Sequence, residues 1–177
     1  MPLRHREQIH GIEIRWHSDM EGARVLSFLE SVTNNNGWDF SRLGKIKFYD
    51  SSSKRDWWTG SITYGKRDIP AKIICGVPDW WTYPRTMKVP IGTTAQYSLV
   101  LGSDSSVQNE WMYTYEDMLI TSREDAFIKV LGHELFHFLK KTKQLNTQEW
   151  GRNGNPAANR FAIWFLKLFN NYITHLS

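Results

Sequence analysis

At 177 residues and 20.8 kDa the chain has the length of one domain, and 41% hydrophobic with 23% charged residues is a globular composition that excludes overall disorder. A single cysteine, Cys75, excludes an internal disulfide framework and any Cys-x-x-Cys zinc or redox motif. The net charge of +4 is unevenly spread, with +4 in residues 1–88, −5 in 89–128 and +5 in 129–177, and no apolar run approaches 18 residues, so no membrane span is expected.

In chain order, Asp19–Thr33 carries Val25, Leu26, Phe28, Leu29 and Val32 at helical spacing, and Thr33-Asn34-Asn35-Asn36-Gly37 supplies the stop. Lys45–Asp50, Thr59–Tyr64, Ile69–Val77 and Thr94–Leu101 are β-rich runs cut by Gly, Pro and Ser. The pairs Trp57-Trp58 and Trp80-Trp81 stand at the edges of these runs. Gly102–Thr121 is polar and acidic and predicts a long connection, after which the pattern is helical to the end. The expected class is α+β: an N-terminal helix, a small, mostly antiparallel sheet of about four strands, and two C-terminal helices. One domain would span 1–177, with a helix-plus-sheet region at 1–121 and the chemistry in 122–177. Met1–Arg6 has no apolar segment behind its charges, which reads as an intracellular, cytoplasmic protein without a secretory signal.

The chemistry is concentrated after Thr121. Ser122 with Asp125 three residues on reads as a capping pair, with Asp in place of Glu or Gln, and Glu124 and Asp125 suit the first turn of a helix. Within that helix lies His133-Glu134-Leu135-Phe136-His137, an H-E-x-x-H motif. Residues 133 and 137 project from one face one turn apart, so their imidazoles can share one Zn²⁺. Glu134 is one step round, placed to act as general base. From Val130 to Leu139 every residue is apolar or Gly except His133, Glu134 and His137. Three ionisable groups on so buried a helix require compensation, which a metal provides. Gly132 beside the first histidine suggests a close backbone neighbour.

A catalytic zinc site uses three protein ligands, and the third must come from the second helix or the loop before it, because Lys140 and Lys143 occupy the Gly and third-His positions of the longer H-E-x-x-H-x-x-G-x-x-H motif. Downstream runs Asn155-Pro156-Ala157-Ala158-Asn159-Arg160-Phe161-Ala162. H-E-x-x-H followed by A-N-x-F-A resembles the gluzincin-type zincin metallopeptidases, particularly the ImmA/IrrE-like group, over residues 122 to 170. The resemblance implies a zincin-like fold and a zinc metalloprotease, with Asn159 supporting the first histidine. It also puts Asn155 at the position where that group has its third ligand, a Glu. Three readings of this position stand side by side: Asn155 as a weak ligand, Asn155 as an N-cap before Pro156 with Glu149 as the ligand, or water in the third place.

The expected function is a zinc-dependent hydrolase of peptide bonds, an endopeptidase rather than an exopeptidase, with Glu134 moving the proton. Tyr113, Tyr115, Arg160 and His175 are the candidates for oxyanion support, and Thr94–Leu101 is the strand expected to receive an extended peptide. The alternative is a catalytically weak or inactive zincin-fold binding module for a regulatory protein or a single-stranded nucleic acid, using the Trp pairs and basic patches. An autoinhibited form would place His5, His10 or His17 on the zinc.

Overall fold

The computed structural model describes residues 5–9, 11–16, 20–66, 69–98, 108–145 and 155–175, with residues 5–9, 93–98 and 108–113 described by their backbone alone. Strand β1 (His5–Ile9) pairs antiparallel with β2 (Ile12–Trp16), and Gly11 takes the turn at φ 79°. Ile12, Ile14 and Trp16 alternate into the core, which sets the face of β2. The chain then forms α1 (Gly22–Asn36), whose apolar stripe of Val25, Phe28, Leu29 and Val32 is buried. Gly37 ends it in the left-handed conformation at φ 63°, its N–H bonded to the Thr33 carbonyl, as the Asn-rich run predicts.

Strand β3 (Leu43–Ser51) follows and lies parallel to β2, because a helix carries the chain back to the start of the sheet. Strand β5 (Ala71–Pro78) is parallel to β3, and β4 (Thr59–Thr63) is antiparallel to β5 at the edge. The order is β1-β2-β3-β5-β4. The sheet is therefore mixed and five-stranded, which corrects the expectation of about four mostly antiparallel strands. Beside three of the expected runs it holds β1 and β2, two five-residue strands within a stretch assigned no element from its sequence, and β3 pairs parallel with both β2 and β5.

The segment Gly102–Thr121 is corrected as well. It supplies β7 (Gln108–Ile120), antiparallel to β6 (Arg85–Ser98) in a separate two-stranded ribbon. Thr114 to Asp117 are exposed and only Met118 and Ile120 are buried beyond them, so the strand carries loop-like composition. Of the Thr94–Leu101 run, residues up to Ser98 belong to β6, in the ribbon rather than the sheet, and the remainder lies outside the described residues.

Helices α2 (Arg123–Lys141) and α3 (Asn155–Thr174) pack against each other. A Cβ on Gly132 would stand 3.0 Å from the Ala162 Cα, so the two backbones approach closely beside His133, as the mid-helix glycine suggests. Phe127, Phe136, Phe138, Phe161, Phe165 and Phe169 are fully buried between these helices and their neighbours, with Phe127 edge-on to Phe48 of β3 at 5.4 Å. Most of the aromatic content of the two helices is thus core. Among the described residues no helix is long and apolar enough to cross a membrane.

Helix α2 closes with a Schellman pair: the Gln144 N–H reaches the Leu139 carbonyl at 2.8 Å and the Lys143 N–H reaches that of Lys140 at 3.1 Å. Lys143 sits in the left-handed position, φ 59°, where glycine is usual and a side chain costs about 1 kcal/mol.

Candidate metal centre

The site is built on α2, and both ends of that helix are held. Ser122 is extended and its hydroxyl accepts the Asp125 N–H at 3.1 Å, while the Asp125 carboxylate accepts the Thr121 N–H at 3.0 Å and the Thr121 hydroxyl. The Ser122 hydroxyl makes its half of the capping pair expected from the sequence, while the Asp125 carboxylate reaches back one residue further, to Thr121. Glu124 and Asp125 lie in the first turn and Lys140 and Lys141 in the last, both favourable to the helix dipole.

His133 and His137 turn their rings towards each other, with Nε2 to Nε2 at 3.4 Å. Two ligands bonded tetrahedrally to zinc at 2.0–2.1 Å are about 3.3 Å apart, so the pair has the spacing of adjacent zinc ligands. The Nδ1–H of His133 donates to Asn159 Oδ1 at 2.8 Å, and Asn159 in turn donates Nδ2–H to the Pro90 carbonyl at 2.8 Å. The second bond orients the amide, the first selects the His133 tautomer, and Nε2 is left with its lone pair facing the pocket. Burial above all, then the nearby Lys129, pushes the His133 pKa down to about 4, against the raising effect of Asn159, so the imidazole is neutral at pH 7. A neutral ring with a directed lone pair is the state a metal requires.

Asn159 reaches Pro90 because β6 carries a bulge between Pro90 and Gly92. The bulge turns two successive carbonyls onto α3, Pro90 to Asn159 and Ile91 to the Arg160 guanidinium. The ribbon's structural task is thus to position the residue behind the first histidine.

Glu134 is buried, 7% exposed, beneath β4. A Cβ added to Gly60 would meet Glu134 Oε1 at 2.7 Å and Val130 Cγ1 at 2.8 Å, so the strand passes directly over the carboxylate and a side chain here would have to displace it. We expect Gly60→Ala to push β4 and Glu134 apart and lower any activity of the site by tenfold or more, while the thermal midpoint falls by only a few degrees; cleavage assays beside a melting curve check both. Burial raises the Glu134 pKa to about 7, opposed by the charge of Lys129.

Lys129 was not anticipated. It is 3% exposed, its Nζ lies 4.0 Å from the centroid of the Trp58 ring and 3.3 Å from Asn159 Oδ1, and it lines the same cavity of about 480 Å³ as the two histidines and Glu134. A signal was available, since residues 129, 133 and 137 form one stripe at intervals of four. Burial lowers its pKa to about 7, with Glu134 acting in the opposite direction. The unfolded chain therefore holds more protons between pH 7 and 10.5, and the penalty on the fold is complete below pH 7 and fades as pH rises through that window. Lys129→Met is expected to stabilise the fold by about 2 kcal/mol at pH 6.5, after losing the cation–π contact, and by almost nothing at pH 10.5; urea titrations at both pH values measure this.

The tryptophan pairs divide. Trp58 and Trp81 are buried and meet edge-on at 5.7 Å, while Trp57 and Trp80 are about half exposed. Trp57 and Trp58 both line the cavity beside the histidines, so the pair whose role the sequence left open is partly the wall of the site. Trp80 instead ties its indole N–H to the Ser53 carbonyl at 2.8 Å.

Asn155, at the first turn of α3, also lines the cavity, and its side chain hydrogen bonds to His133. Its rival Glu149 lies outside the described residues, as do His10 and His17. Among the described residues, no group of three or more His, Cys, Asp or Glu side chains is placed to hold a metal, and Asn155 and Asn159 are the amide side chains that line the cavity. Of the oxyanion candidates, Tyr115 is exposed on β7, Arg160 is engaged with Ile91, and His175 caps α3 through the Asn171 carbonyl at 2.7 Å; none of the three lines the cavity over the histidines. The Tyr113 side chain lies outside the description. The strands that line the cavity are β4, at the sheet edge, through Thr59 and Gly60, and β6 through Pro90; the side chains of the predicted Thr94–Leu101 lie outside the described residues. No protein-family model, curated protein or solved structure matches this chain, so its function is argued from these residues.

Proposed function

We propose that the chain is a zincin-like, zinc-dependent peptidase. The observation that carries this reading is the convergence of His133 and His137 Nε2 at 3.4 Å with Glu134 beside them under an edge strand. His133 and His137 would hold the metal and Asn155 would complete the set through its amide oxygen. Zinc bound there supplies a Lewis acid for the scissile carbonyl and acidity for the attacking water. Glu134 accepts the proton of that water and passes it to the leaving amine. Burial keeps its carboxylate basic enough to take a proton near neutral pH. Asn159 holds His133 in the ligand tautomer, and the bulge at Pro90 holds Asn159. An extended peptide adds to the edge of β4, where backbone hydrogen bonds place its carbonyl over the histidines and Trp57 covers one end.

Elemental analysis of purified protein with a chelation and reconstitution series tests the reading. One zinc per chain, with peptide cleavage lost on chelation and restored by zinc, is the expected result. Wild-type protein that takes up no zinc would overturn it and leave the binding-module alternative, whose partner would then be sought among proteins and single-stranded nucleic acids.

A further inference from the structure

The cavity over the histidines continues past His137. A second cavity of about 500 Å³ adjoins it there, under the far end of β4, and is lined by Ile62, Tyr64, Lys140, Lys141 and Lys143 in addition to His137. Among the described residues, the charged side chains that line it are the three ammonium groups of Lys140, Lys141 and Lys143. The opposite end, beyond Thr59, is bounded by Trp57 and Trp58. The groove is therefore chemically polar along its length, aromatic at one end and cationic at the other.

Lysines in the last turn of a helix complement its dipole, which accounts for Lys140 and Lys141. It does not account for Lys143. That residue occupies the left-handed position of the helix cap, φ 59°, which glycine would fill without strain. A side chain kept where the backbone disfavours one points to a use for that side chain. Lys141 in turn lies with its Nζ 5.5 Å from the Tyr64 ring centroid, joining the helix end to the residue that follows β4.

Building on the peptidase reading, we propose that this lysine cavity is the subsite for an acidic side chain of the substrate, N-terminal to the bond that is cleaved. A peptide pairing antiparallel to β4, the more stable arrangement per residue, runs from Tyr64 towards Thr59. Gly60 stands over Glu134, and Tyr64 is four residues along, roughly 13 Å at the rise of a strand. The acidic residue thus falls two to four positions before the scissile bond. Each partly exposed ion pair contributes little by itself, and two carboxylates facing three lysines give about a tenfold preference that weakens with salt.

The test uses the full chain as the zinc-treated Glu134→Gln variant and two fluorescein-labelled decapeptides of one sequence, with Glu-Glu or Gln-Gln at the third and second positions before a central Ala–Leu bond. Fluorescence anisotropy should give about tenfold tighter binding of the Glu peptide in 50 mM salt, a preference that disappears when Lys140, Lys141 and Lys143 are all changed to Gln. Lys143→Gly is the second variant: it should resist denaturant better than its parent yet bind the Glu peptide less tightly. Equal affinity for the two peptides, no binding of either, or a preference that survives these substitutions overturns the proposal. So does a labelled single-stranded oligonucleotide that outcompetes the Glu peptide through the same lysines. Wild-type protein that binds the Glu peptide selectively but cuts neither peptide would remove the peptidase reading and leave the acidic subsite standing. Cleavage of both peptides with no acidic preference would do the reverse.

Discussion

Glu134→Gln is expected to lower peptide cleavage by about 10²–10⁴-fold, with zinc content and fold unchanged. The amide has the shape of the carboxylate it replaces, so the contact with the backbone of β4 at Gly60 is preserved. It also removes an ionisable group from a position only 7% exposed, so the variant should be no less stable than the wild type. The lost quantity is proton transfer alone. Cleavage rates, zinc stoichiometry and a melting curve on the same preparation separate these effects, and a variant with full activity would remove Glu134 from its assigned role.

The second large effect concerns the ligands. His137→Ala leaves a single histidine, and its zinc affinity should fall by more than the ten- to hundredfold typical of losing a residue behind a ligand. Asn155 predicts a change in the other direction. Its neutral oxygen is a weak donor for zinc, and Asn155→Glu keeps an oxygen on the same wall of the cavity while adding charge. Competition with a chelator of known affinity should show Asn155→Glu holding zinc at least tenfold more tightly than wild type, and Asn155→Ala less tightly. If neither change at residue 155 alters affinity while Glu149→Ala does, the third ligand is Glu149.

Local features of the site were legible in the chain because they depend on residues a few positions apart. The i and i+4 spacing of His133 and His137, the Ser122–Asp125 cap and the stop at Gly37 each follow from helix geometry over one or two turns. Gly132 belongs with them, since a glycine inside a buried helix already implies a close neighbour. β7 was not legible. A two-stranded ribbon with an exposed stretch has no apolar face to repeat at period two, so its residues resemble a loop.

By itself the sequence determined a helix carrying two histidines one turn apart with a carboxylate beside them, and resemblance suggested the Asn159 support. Only the tertiary structure decided which strand lies over them, that a bulge in a distant ribbon orients Asn159, and that Lys129 and Trp58 enclose the carboxylate. The physical reason is sequence separation. Capping and helical periodicity act between neighbours, whereas Gly60 over Glu134, and Pro90 against Asn159, are contacts between residues about 70 positions apart that exist only once the core has closed.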